Sequence, residues 1–335
     1  MKRHVIKVLG NEWSHKALIL LIFVIIMGIF EPRFFLPGNI RSILLAISIY
    51  GIMSCGMLVV IITGGIDLCI GSTAALGACV LTMTYVNNGQ TNGFFFIGLI
   101  SAVLICLLLG LFHGILVAYL KLPPFVVTLA TQYLIFGIVA TITGGNYITP
   151  RPGGAYYWIS NARLFDIPMP IVWFALFAAV FAFILSYTSF GKRCYFAGGN
   201  RFAAEIVGIN TKRFTLISYM IASLMACIGG IVLVSLNMQV FATTASGYEG
   251  KVLTAMVVGG ISLMGGKGGI PGVIFGALFV GIVNNALILL NVPSEFQTLV
   301  QGVIIIAAIA FNMLAHSQST KTINRISGGM VRRHE

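Results

Sequence analysis

A carboxylate stands between two strongly apolar runs at Asp67, in ITGGIDLCIGSTAALG (62–77), with Gly64, Gly65 and Gly71 around it. An ionised carboxylate in hydrocarbon is costly and usually functional. At a helix start it can instead accept hydrogen bonds from free backbone N–H groups. Asp67 is expected near the cytoplasmic face, capping a helix that begins at about residue 70, with a gate or pathway role as the open alternative. A proton relay would need ionisable partners, and none is visible within the apolar runs. His113 lies inside one, in GLFHG (110–114). The GxxxG spacing there predicts close helix packing, with His113 neutral and hydrogen-bonded.

Six cysteines, Cys55, Cys69, Cys79, Cys106, Cys194 and Cys227, show no CxxC spacing. Most sit in apolar runs as small packing residues, so no metal site is expected. GxxxxGK[ST], HExxH and GxSxG are all absent, which leaves no catalytic residue to name and no means of hydrolysing ATP. The amides Gln132, Asn146, Asn237, Gln239, Asn284, Asn285, Gln297 and Gln301 suit a path for a neutral, hydroxyl-rich solute, or bonds between helices. GVIFG (272–276) repeats the GxxxG packing signal. GGIDLCIG (64–71) is echoed by GGISLMGG (259–266). Transporters often carry internal repeats and interrupted helices. Gly64, Gly65, Asp67 and Gly71, with Gly259, Gly260, Gly265 and Gly266, are therefore candidate residues of two helix breaks or of the pathway.

The elements that must position these residues follow from composition. Hydrophobic residues make up 58% of the 335-residue chain and charged residues 8%, against roughly 25% charged in soluble domains. A bilayer-spanning helix needs about 20 apolar residues. Ten apolar elements read out at about 17–30, 42–63, 70–86, 94–120, 124–143, 168–187, 214–236, 252–264, 270–290 and 296–315. The first, third and eighth are short, and the eighth, VLTAMVVGGISLM, is the weakest as a full span. The fold class is an all-α polytopic membrane protein with about ten transmembrane helices and glycine-rich helix breaks, a single transmembrane domain over 1–335. A signal peptide is the rival for the basic start, but no small-residue cleavage site follows, so the first segment is expected as a retained span.

The net charge of +12 is informative by its distribution. Alternating ten spans from an inside N-terminus places 15 of the 20 Lys and Arg on the inner side, as the positive-inside rule requires. Both termini are then cytoplasmic. The outer loop at 144–167, rich in Pro, Gly, Tyr and Trp, is expected as an irregular ledge at the interface. The inner loop at 188–213 contains NRFAAEIVGIN. Asn200 reads as an N-cap of a short helix over 201–207, ended by Gly208. That helix has Phe202, Ile206 and Val207 as an apolar side, and Arg201 and Glu205 as a charged one. Its design favours a docking surface over a plain basic loop.

Three stretches together resemble the permease subunits of ABC-type sugar importers of the ribose/galactose class. VIITGGIDLCIGS is similar to the family's G-G-I-D-L-S-V-G-S, with Cys69 and Ile70 in place of Ser and Val. GKRCYFAGGNRFAAEIVGINTKR and AMVVGGISLMGGKGGIPGVIFGAL are similar to its cytoplasmic and C-terminal signatures. The resemblance implies a permease in the bacterial cytoplasmic (inner) membrane that carries a ribose-like pentose or related monosaccharide. Its partners would be an ABC ATPase subunit, a periplasmic or lipid-tethered sugar-binding protein, and a second permease in a homo- or heterodimer. ATP and Mg would be used by the ATPase, with no cofactor on this chain. Gly198, Gly199, Asn200, Ala203, Ala204, Glu205 and Gly208 would be the residues coupling permease to ATPase, and the 144–167 ledge would face the binding protein. The rivals are a self-contained secondary transporter or channel, disfavoured by the scarcity of charge in the spans, and a membrane-embedded enzyme.

Overall fold

A computed structural model describes residues 12–307 and 310, with side chains from Lys16 onward. The start of the chain and the end of the tenth predicted segment, with both expected cytoplasmic termini, lie outside the described residues. The path is helical nearly throughout. Helix α1 (Glu12–Phe30) leads through a 3-10 turn (Pro32–Phe35) to α2 (Pro37–Ile62), α3 (Ile70–Asn87), α4 (Asn92–Ala118) and α5 (Pro124–Thr143). After α6 (Gly154–Asn161) and a two-strand hairpin (β1 Arg163–Leu164, β2 Ile167–Pro168) come α7 (Met169–Tyr187), α8 (Ser189–Gly199) and α9 (Arg201–Ile206). The bundle closes with α10 (Thr211–Asn237), α11 (Tyr248–Val258), α12 (Ile270–Leu289) and α13 (Ser294–Ala307).

Seven helices, α2, α3, α4, α5, α7, α10 and α12, are long and apolar enough to cross a membrane. Elements α11, α13 and the apolar part of α1 from Lys16 are shorter. Helices α2, α3 and α10 form the buried centre, while α4, α5 and α7 turn leucine, isoleucine and phenylalanine outward. In lipid, hydrophobicity does not drive helices together, so close approach at small residues decides which face packs. The GxxxG pair of α4 acts this way. A Cβ at Gly110 would stand 2.7 Å from Met220 Cα, and one at Gly114 2.8 Å from Leu216 Cα, both on α10. In α12, Gly272 and Gly276 face the carbonyls of Gly259 and Ala255.

Two expectations change. The eighth segment is not a helix over 252–264. Helix α11 starts earlier and stops at Val258 after 11 residues, which is about 16 Å of helix and half a bilayer core. The chain reaches it through turns at 242–247, following a backbone bridge between Ile148 of the outer loop and Val240. The outer ledge is also more ordered than its composition implied. It contains α6, whose Trp158 is exposed, but Tyr156 is fully buried, stacked on Tyr85 and hydrogen-bonded to Thr82 at 2.8 Å. A tyrosine hydroxyl with a buried partner belongs in a core as readily as at an interface.

Candidate functional site: two helix breaks, a coupling loop and a mid-membrane half-helix

The first break spans 63–69, between α2 and α3. Gly64 takes φ +83°, a left-handed conformation open to glycine. Asp67 lies there with no solvent exposure. Its Oδ1 accepts from Cys69 N–H at 2.8 Å, while Oδ2 has no hydrogen-bond partner. The N-cap residue of α3 is Cys69, so Asp67 secures the turn that feeds the helix rather than occupying the cap. Tyr219 of α10 donates to the Ile66 carbonyl at 3.1 Å, and Leu68 N–H donates to Thr128 of α5 at 3.1 Å. The break is thus clamped from two neighbouring helices. Gly71, expected within it, instead lies in the first turn of α3, where a Cβ would collide with the Ala245 carbonyl and the Glu249 carboxylate. His113 was expected to be hydrogen-bonded. It is fully buried, neither ring nitrogen has a partner, and its ring meets Tyr219 edge-on at 6.2 Å.

The inner loop, the candidate coupling segment, folds as α8 and α9. Asn200 Oδ1 accepts from Ala203 N–H at 2.9 Å and starts α9. Gly208, with φ +80°, follows its end. Glu205 accepts from the Thr211 hydroxyl and from Arg201, tying α9 to the first turn of α10. The Thr211 hydrogen bond, then Arg201, hold this carboxyl below the usual carboxylate range. Ala204 is buried beneath α9, while Phe202, Ile206 and Val207 are each at least 69% exposed.

The glycine pairs that the sequence scatters over 200 positions meet in space. Gly266 N–H donates to the Ile62 carbonyl at 2.9 Å. A Cβ on Gly265 would stand 2.8 Å from the Gly198 carbonyl and 3.1 Å from Gly64 Cα, and one on Gly266 would stand 2.5 Å from Gly199 Cα. Gly198 itself abuts the Ile62 carbonyl. The end of α2, the end of α8 and Gly265–Gly266 of the loop after α11 therefore form one backbone-to-backbone joint. Gly259 and Gly260 stand apart from it, closing α11.

Sequence reasoning missed a polar cluster at the start of α11. Tyr248 at the start of α11 packs edge-on against Tyr50, with ring centroids 5.1 Å apart. Tyr50 lies 12 residues before the end of α2, about 18 Å along its axis. Helix α11 therefore begins near mid-membrane, and its ionisable residues lie at that depth. Glu249 Oε1 accepts from Gln132 of α5 at 2.9 Å and from Gly247 N–H at 3.1 Å. Lys251 sits over the Tyr50 and Tyr248 rings at 5.4 and 5.1 Å. Its other side opens on a cleft lined by Thr254, Asn284, Gln297 and Gln301. That cleft's water-accessible volume is about 30 Å³, room for a couple of waters and not for a monosaccharide. Glu249 and Lys251 precede the predicted eighth apolar run, so a search for ionisable partners confined to the apolar runs passes over them. Asn39 and Asn285 bond reciprocally at 3.0 and 2.8 Å, so these two amides serve packing. Among the described residues no group of His, Cys, Asp and Glu is arranged to hold a metal.

A family model described as branched-chain amino acid transport system / permease component matches residues 39–309. The ribose import permease protein RbsC of Bacillus subtilis is 35% identical over 87% of this chain and 89% of its own length. The L-arabinose transport system permease protein AraH of Escherichia coli K12 is 32% identical over 90% and 92%. The autoinducer 2 import system permease protein LsrC of E. coli SMS-3-5 is 29% identical over 92% and 89%. No solved structure matches.

Proposed function

The chain belongs to the branched-chain amino acid transport system / permease component family, and from that premise we infer that it is the membrane-spanning subunit of an ATP-driven importer of a sugar. It is a multi-pass protein of the cytoplasmic membrane. The sugar reading, rather than an amino acid, is supported by relatives named for ribose and arabinose import that align over about nine-tenths of both chains. A ribose-like pentose or related monosaccharide fits an amide-lined face, because neutral hydroxyls pair with uncharged donors and acceptors.

ATP and Mg are used by a partner ATPase, and a binding protein delivers the sugar outside. A second permease, identical or related, completes the path. The ATPase docks on α9 and its movement enters the bundle through the glycine joint. That joint ties the coupling loop to the first break and to the turn after α11, so a displacement of α9 is passed directly to both. The outer ledge around α6 is the contact for the binding protein.

The observation that carries this reading is the joint, in which Gly198–Gly199 beside the uncovered α9 lies against Ile62–Gly64 and Gly265–Gly266. Reconstitution with the candidate ATPase and binding protein tests it. Gly199→Arg and Glu205→Arg, at matched membrane abundance, are expected to lower uptake and sugar-stimulated ATP hydrolysis at least about tenfold, with loss of bound ATPase. Glu249, Lys251 and Asp67 are the groups a self-contained carrier would use. Uptake by the chain alone, driven by a proton gradient, would establish that alternative and sink the importer.

A further inference from the structure

The turn at 262–268 is built rather than loose. Ser262 N–H donates to the Lys267 carbonyl at 3.1 Å and Gly265 N–H to the Ser262 carbonyl at 3.0 Å. The Tyr195 hydroxyl of α8 donates to the Gly268 carbonyl at 2.7 Å, fastening the turn to the coupling loop. On this framework Met264 stands 83% exposed. Two residues on, Gly266 lies against Gly199, the last residue of α8 and the neighbour of the Asn200 cap. Met264 therefore rises two residues from the joint, and the exposed Phe202, Ile206 and Val207 follow within eight residues of its other side at Gly199.

Lipid is a poor occupant for this surface. Lys192, Arg193, Arg201, Lys212, Arg213 and Lys267 surround it in the chain, with Glu205 as the one acidic residue of these segments. Such a cluster of cations marks the aqueous cytoplasmic side. An apolar patch rimmed by charge is the mark of a protein contact, and an unbranched methionine adapts to a groove it does not shape. The cationic rim calls for acidic residues opposite.

We propose that the 262–268 turn is a second contact for the ATPase subunit, with Met264 seated beside α9 in an apolar groove that the ATPase rims with acidic residues. The proposal rests on the reading of this chain as an ATPase-coupled permease. It gives the joint a mechanical sense, since the ATPase would grip both the coupling loop and the turn that follows α11. The two segments would then be driven together, with the joint keeping them in step.

Cysteine labelling tests the proposal, because all six native cysteines are free and buried. Met264→Cys and Phe202→Cys are each placed in inside-out vesicles and treated with a membrane-impermeant maleimide. Both are expected to label readily on the permease alone and at least about tenfold more slowly with the ATPase bound. Protection of Phe202→Cys without protection of Met264→Cys would overturn this proposal and leave the importer reading standing. Absence of protection at both positions would overturn the docking reading itself. A Met264→Cys that resists labelling without the ATPase is covered by lipid, and that also defeats the proposal. Met264→Glu should weaken ATPase retention in detergent about tenfold or more, while Met264→Leu retains it. Equal retention by the two variants would be a second refutation.

Discussion

At the scale of single residues, Asp67 has one defined task. Its Oδ1 holds Cys69 N–H in a fully buried turn, and its second oxygen is unpartnered. Asparagine keeps the acceptor and removes the charge, whereas alanine removes both. Asp67→Ala orphans a buried N–H, which costs about 1–3 kcal/mol, so it should lower thermal stability in detergent and membrane abundance. Asp67→Asn should keep both, together with sugar uptake. An Asp67→Asn protein of normal stability that fails to transport would show that the charge itself is needed and that Asp67 belongs to the gate. This residue was legible in the sequence because glycines and apolar runs isolate it. Glu249 was not. It lies in FATTASGYEGK, which carries neither a helical period nor an apolar run, and such a segment reads as an outer loop. A chain that enters the membrane without a helix leaves no hydropathic signature.

At the scale of elements, the short helix α11 depends on its partner α12. Gly276 lies so close to the Ala255 carbonyl that a Cβ has no room, and Gly272 faces Gly259 across the same contact. Gly276→Val must push the two helices apart, an overpacking cost of roughly 1–3 kcal/mol or more. Lower folded yield and a lower midpoint of thermal unfolding are expected. Gly137→Val on α5, where an added Cβ meets nothing within 4 Å, serves as the control and should stay within about 0.5 kcal/mol of the parent. Equal yields for the two would mean that α11 does not rely on α12. The GxxxG spacing identified this contact and the one at Gly110–Gly114 in advance, since both follow from helix geometry alone. The meeting of Gly64, Gly198–Gly199 and Gly265–Gly266 was out of reach of spacing. It depends on how three distant turns are carried to the same end of the bundle.

At the scale of the whole molecule, the proposed coupling surface and the amide-lined cleft occupy different places, so coupling and conduction should fail separately. The joint and α9 lie at the end of the bundle where α2 finishes, whereas Lys251, Asn284, Gln297 and Gln301 line a cleft that begins near mid-membrane. With a water-accessible volume of about 30 Å³, this cleft would serve as the proposed sugar path only after the bundle rearranges or a second permease supplies the opposite wall. Its amides are not needed to hold the ATPase. Asn284→Leu combined with Gln301→Leu removes two neutral hydrogen-bonding groups, each worth about 0.5–1.5 kcal/mol. Uptake should therefore fall about tenfold, while ATPase retention and basal ATP hydrolysis match the parent. Gly199→Arg is expected to show the opposite order, with the ATPase lost first and uptake lost as a consequence. If the double variant transports at the parental rate, the sugar does not pass along this face. If it releases the ATPase, conduction and docking are not separable in this fold. Loss of uptake with the ATPase still bound would place the path on the α11–α12–α13 face, away from the joint that drives it.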